Sequence, residues 1–301
     1  MIEVEANAPV VSGIAVARGL RDSCSGNIGQ DGALMRMFEA RQFVIAAMFL
    51  TMASSCFAGS IVDISDPNEA RKSLPAYLAR PTGAGPFPAI VVLHGCGGFG
   101  SVVVSWADQL ARWGYVALAV DSLTSRGRTS ACSSGTSDQV HDAYRALNFL
   151  ADQSFVRSER VGLVGISLGA GAALAAFEAD GIQKAHNGKF RAVVAFYPPC
   201  AGSSGVMSGP TLVLVGERDD WTPANDCRDM AAGRSGIGTS RQQGDRSMVD
   251  LVVYPDTHHS FLDPSIPMGT RHLGHWLQYN GTAVQDAMRR VRRFFNHWLG
   301  E

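Results

Sequence analysis

From residue 74 onward, short runs of apolar and β-branched residues alternate with longer segments whose apolar positions recur every three to four residues. That alternation predicts a doubly wound, mostly parallel sheet with helices on both faces, an α/β architecture. Leu74 to Ala79, Ala89 to Leu93, Val116 to Val120, Val161 to Val164, Ala192 to Phe196, Thr211 to Val215 and Leu251 to Tyr254 read as strands. Ser101 to Trp113, Ser137 to Leu150 and Leu168 to Phe177 read as helices, each entered through a capping residue or a tight glycine turn. Near the end of the chain Val284, Met288, Val291, Phe295 and Trp298 make one apolar stripe, and Gly300 follows as a cap.

With 301 residues, 46% of them hydrophobic, the chain has enough apolar surface for one large core, and a single domain over residues 59–301 is expected. Lys and Arg total 26 against 27 Asp and Glu, so neither nucleic acid nor an anionic membrane surface is indicated as a partner. A small molecule fits better. The first 58 residues read differently from the rest. Phe43 to Met52 is an apolar run preceded by Arg36 and Arg41 and followed by small residues, which is the pattern of a signal peptide over 35–58, cleaved after Ala58. The run is too short to span a bilayer, which takes about 20 residues. Residues 1–34 then form an extension, or translation starts at Met35 or Met37. A periplasmic or secreted location would also suit Cys96, Cys132, Cys200 and Cys227, an even set in a compartment that permits disulfides. No C-x-x-C pair occurs, and His272 with His275 has no third ligand nearby, so no metal site is expected.

The chemistry concentrates where strands end. Val161 to Val164 runs into Gly165-Ile166-Ser167-Leu168-Gly169, followed by the helical Ala170-Gly171-Ala172-Ala173-Leu174. A bare G-x-S-x-G is weak in a chain with 33 glycines, but its place between a buried strand and a helix is what a strained nucleophile turn requires. Serine is a poor nucleophile unless a base lies within hydrogen-bond reach and a third group orients that base. The acid is expected next in the chain. Thr211 to Val215 leads into Gly216-Glu217-Arg218-Asp219-Asp220-Trp221-Thr222-Pro223, where Asp219 is the favoured acid and Asp220 and Glu217 compete with it. Leu251 to Tyr254 leads into Pro255-Asp256-Thr257-His258-His259-Ser260-Phe261, and one of the two histidines is the candidate base, His259 being favoured. An oxyanion needs backbone N–H donors, which Leu168 and the loop His94-Gly95-Cys96-Gly97-Gly98 can supply, the second through Cys96. That loop lacks the Lys-Ser/Thr ending of a phosphate-binding loop.

Taken together, the elbow, the glycine loop, the Gly216 to Pro223 turn and Tyr254-Pro255 before His259-Ser260-Phe261 resemble the dienelactone hydrolase family over about residues 70 to 299. The resemblance implies an α/β-hydrolase fold, a triad of Ser167, Asp219 and His259, and Cys96 and Leu168 as oxyanion donors. It implies no cofactor. The enzymes that gave the family its name use a cysteine nucleophile and a glutamate in the oxyanion loop, where this chain has Ser167 and Gly95. A general carboxylic ester or lactone is therefore the expected substrate, cleaved through an acyl-serine. A peptidase, an acyltransferase or a catalytically silent binding protein on the same fold are the rival readings. In the fold so implied, neighbouring parallel strands end at one edge, which pairs Cys200 with Cys227 and Cys96 with Cys132. The loop Ser122 to Thr136 and the segment Leu262 to Thr282 are expected to shape the pocket, with Arg126 and Arg128 either holding a substrate carboxylate or simply solvated.

Overall fold

A computed structural model of the chain describes residues 59–65, 73–133, 136–234 and 248–300. The expected signal peptide over 35–58 and the extension before it lie outside the described residues. The strands are β1 (Ser60–Ile64), β2 (Leu74–Ala79), β3 (Phe87–Leu93), β4 (Val116–Val120), β5 (Val156–Ile166), β6 (Val193–Phe196), β7 (Thr211–Gly216) and β8 (Val249–Tyr254). They form one sheet in the order β1-β2-β4-β3-β5-β6-β7-β8, antiparallel at the β1–β2–β4 edge and parallel from β4 onward. The apolar runs became strands because they lie in the middle of this sheet: every residue of β4, β6 and β7 is buried, as are Ala89 to Leu93 of β3. A strand covered on both faces shows no alternation, which is why these runs are continuously apolar.

Helices α1 (Ser101–Arg112), α2 (Ser137–Ala151), α3 (Leu168–Phe177), α4 (Ala224–Ala231) and α5 (Gly281–Trp298) cover the sheet. Successive residues of a strand face opposite sides, so Gly162 and Gly165 of β5 point in opposite directions. A Cβ on Gly162 would meet Phe295 and Leu299 beside α5, and one on Gly165 would meet the backbone of α3 at Ala170. Helices therefore cover both faces of β5. The Asn280 side chain caps α5 by accepting the Ala283 N–H at 3.1 Å. Ala283, Ala287, Val291, Phe295 and Leu299 then descend into the core.

The structure departs from the sequence reading in several places. Trp298 is 42% exposed, and Leu299, fully buried, completes the stripe instead, because a step of four from Phe295 keeps the same helical face. β5 begins five residues earlier than its apolar run, at Val156, through a polar stretch near the surface. The edge strand β1, the short helix α4 and a hairpin of β9 (Thr270–His272) with β10 (His275–Leu277) were not anticipated.

Candidate active site

The parallel strands end at one rim of the sheet, and the candidate residues meet there. Ser167 sits between β5 and α3 with φ 54° and ψ −117°, left-handed backbone that costs a non-glycine residue about 1–3 kcal/mol. Its N–H is tied to the Phe196 carbonyl at the end of β6 (2.9 Å). The turn closes so tightly that a Cβ on Gly169 would come within 2.5 Å of the His94 carbonyl oxygen. Small residues flank the serine for that reason.

Ser167 Oγ lies 3.0 Å from His259 Nε2, and His259 Nδ1 lies 2.7 Å from Asp219 Oδ2. His259 and Asp219 are buried, 1% and 4% exposed. Nδ1 donates to the carboxylate, so the lone pair of Nε2 faces the serine hydroxyl. The other Asp219 oxygen accepts the N–H groups of Trp221 (3.0 Å) and Thr222 (2.8 Å), closing a turn that fixes the carboxylate. Thr222 Oγ1 stands 2.9 Å from Asp219 Oδ2, 3.1 Å from His259 Nδ1 and 3.1 Å from the Tyr197 carbonyl oxygen. Aromatic rings enclose the imidazole: Tyr197 packs edge-on with centroids 4.7 Å apart and Trp221 lies 5.1 Å away. Tyr197 itself has φ 40°.

The competing residues point elsewhere. Asp220 accepts the Trp276 N–H (3.1 Å) and so holds the β9–β10 hairpin. Glu217 is exposed, 4.0 Å from Arg228, and the half-buried His258 bonds the Arg218 carbonyl at 3.0 Å. His275 stacks on Trp221 with centroids 4.9 Å apart, and His272 packs against the same indole. Arg126 forms a two-pronged pair with Asp142 (2.8 and 2.9 Å), and Arg128 pairs with Asp138. Neither arginine lines the cavity above Ser167. Of the two roles left open for them, neither a carboxylate holder in the cavity nor a simply solvated charge describes them, since their guanidinium groups pair with α2.

The glycine loop after β3 turns under the same cavity. Gly98 has φ 93°, and its N–H reaches the Gly95 carbonyl at 3.1 Å. His94 anchors the loop from below: Nδ1 donates to the Gly95 carbonyl (2.7 Å), Nε2 accepts the Ser122 N–H (3.2 Å), and Gln139 donates to the His94 carbonyl (2.9 Å). Burial holds this imidazole below its ordinary pKa, which favours the neutral ring that can both donate and accept. Cys96 is bonded to Cys132 and Cys200 to Cys227, with Cα atoms 4.6 and 4.9 Å apart. Both pairs are those that the resemblance implies. The first ties the glycine loop to the Ser122–Thr136 loop, and the second ties the turn after β6 to α4, directly beyond the Asp219 turn. The cavity has a volume of about 390 Å³, with Val102, Val103, Ile166, Tyr197, Trp221 and Leu277 supplying its apolar walls.

Sequence reasoning missed Thr222, Tyr197 and Trp221. For Thr222 a signal existed, because a hydroxyl three residues after an aspartate is the pattern of a turn that the carboxylate organises. Tyr197 follows a buried strand directly, at the rim where ligands bind in open α/β sheets.

A parallel sheet with a serine elbow, a histidine and an aspartate at its carboxyl rim defines an α/β-hydrolase. The family model of the dienelactone hydrolase family matches residues 74–299, and the chain belongs to that family. It is a carboxylic ester hydrolase. A relative from Bradyrhizobium sp. described as a probable 2-oxo-3-(5-oxofuran-2-ylidene)propanoate lactonase is 26% identical over 70% of this chain and 86% of its own length. Among solved structures, the dienelactone hydrolase-like promiscuous phosphotriesterase P91 from metagenomic libraries superposes with a TM-score of 0.61. It is 20% identical and matches 80% of this chain and 98% of its own. Butyrate-bound esterase 2 of Thermogutta terrifontis superposes at 0.57, with 17% identity over 79% of this chain and 94% of that one. These structures share the fold.

Proposed function

We propose that the chain cleaves a carboxylic ester or lactone through an acyl-Ser167 intermediate. The observation that carries this reading is the continuous chain from Ser167 Oγ through His259 to Asp219, buried at its far end and opening into the cavity at the serine. As Ser167 Oγ attacks the carbonyl carbon, His259 Nε2 takes its proton, and Asp219 holds the imidazole and offsets its charge. The N–H groups of Cys96 and Leu168 receive the oxyanion, each contributing roughly 3–4 kcal/mol in the transition state. The alcohol leaves with the proton from His259, and water, deprotonated by the same nitrogen, releases the acid and restores the serine. A fluorophosphonate probe is expected to label the protein, and the label should vanish in Ser167→Ala. Mass spectrometry reads the adduct, and labelling that persists in the variant would overturn the assignment.

The setting belongs to the same proposal: export into an oxidising compartment, after removal of residues 35–58. The two disulfides support it. Among the described residues no helix is long and apolar enough to cross a membrane. N-terminal sequencing of protein from a secreting host should begin at Gly59. An intact N-terminus on material fractionating with the cytoplasm would end the idea.

A further inference from the structure

The leaving alcohol must lie where His259 Nε2 can return a proton to it, so the wall beyond His259 faces the alcohol part of an ester. Asp263, four residues after His259 on the same loop, lines the cavity, held by its N–H on the Ser260 carbonyl (3.0 Å). Its Oδ1 accepts both the N–H and the hydroxyl of Ser265, at 2.9 and 2.7 Å. Its Oδ2 has no hydrogen-bond partner among the described residues.

Among the described residues lining the cavity, Asp263 is the one carboxylate and there is no Lys or Arg. The neighbouring cations are engaged elsewhere: Arg126 and Arg128 on α2, Arg112 on Gln109 at 3.1 Å, and Arg271, between Thr270 and His272, on the Gly274 carbonyl at 3.0 Å. His259, His272 and Tyr197 are the cavity's other titratable side chains. Burial, and after it the charges of Asp263 and Asp219, hold the Tyr197 phenol well above its usual range, and the same ring packs on His259 with centroids 4.7 Å apart. The backbone donors of Cys96 and Leu168 serve the carbonyl oxygen and leave the alcohol side without compensating positive charge.

We propose that Asp263 sets a charge preference on the alcohol part of the substrate, so that esters of neutral alcohols are accepted and those of anionic alcohols are rejected. This rests on the ester-hydrolase reading above and narrows its substrate class. It also separates this site from one that takes a carboxylate on the leaving side.

The test compares 3-acetoxybenzamide with 3-acetoxybenzoate, matched in shape and differing by one negative charge, with each kcat/KM normalised to the hydroxide-catalysed rate. The wild-type protein at pH 8 and low salt should prefer the amide about tenfold, the size of effect a carboxylate exerts on a unit charge several ångströms away at intermediate dielectric. In Asp263→Asn, kcat/KM on the carboxylate substrate should rise about tenfold. A gain of this kind cannot come from misfolding. Should the variant fail to fold, added salt supplies the second measurement, because screening should raise the wild-type rate on the carboxylate substrate and leave the amide unaffected. Equal normalised rates in the wild-type protein, or a preference unmoved by both Asp263→Asn and salt, would overturn the proposal. Hydrolysis of neither ester would instead count against the ester-hydrolase reading itself.

Discussion

Asp219→Asn is expected to lower kcat by about 10⁴-fold, the scale seen when an orienting carboxylate becomes an amide and the imidazole adopts the wrong tautomer. An amide nitrogen opposite His259 Nδ1 would replace an acceptor by a donor across 2.7 Å. The ring would then turn its N–H toward Ser167 and lose its ability to take the serine proton. Asp220→Asn should cost far less, since Asp220 holds the backbone at Trp276 rather than the imidazole. Steady-state rates on one activated ester measure both. The opposite ranking would move the acid to Asp220 and would require the turn to be rebuilt.

Removing the Cys200–Cys227 bond, as in Cys200→Ala with Cys227→Ala, should lower stability by about 3.5 kcal/mol on the chain-entropy model for a separation of 27 residues. In a domain of this size that is roughly a 7–14 °C fall in Tm. Both cysteines are buried, 1% and 0% exposed, so loss of their packing adds to the effect. Activity should fall with stability, because the bond fastens α4, which begins two residues after Thr222. Calorimetry of the double variant is the measurement, and a Tm within about 2 °C of the wild type would refute the crosslink's role.

The central sheet was legible because strands buried on both faces are written as unbroken apolar runs. β1 was not, since it lies at the edge with mostly exposed residues, and β9 and β10, at three residues each, carry no period to detect. Ser167, Asp219 and His259 could be placed from sequence because each follows a strand whose end was readable. Asp219 is favoured over Glu217 and Asp220 on sequence alone, but the path of the turn that brings its carboxylate to 2.7 Å from the imidazole is not encoded by three carboxylates within four residues. Trp221 and Asp263 reach the site only through the path of loops returning over the rim, and that path depends on contacts between segments far apart in the chain. Which of the two roles left open for Arg126 and Arg128 applied was not legible, because their partners, Asp142 and Asp138, lie 16 and 10 residues on, in the first turns of α2.

Four of the five non-glycine residues with left-handed backbone among those described, Ser167, Tyr197, Asp256 and Ser260, follow the carboxyl ends of β5, β6 and β8. At about 1–3 kcal/mol each, their combined strain is comparable to the ~5–15 kcal/mol net stability of an ordinary domain. The buried remainder of the sheet has to offset that strain, while the candidate catalytic residues all stand at the carboxyl rim. The two rims should therefore drift under different rules. Substitutions at the strand starts will alter how long the molecule lasts, and those at the strand ends will alter what it turns over. A search for longer-lived variants belongs at the former and a search for altered substrates at the latter.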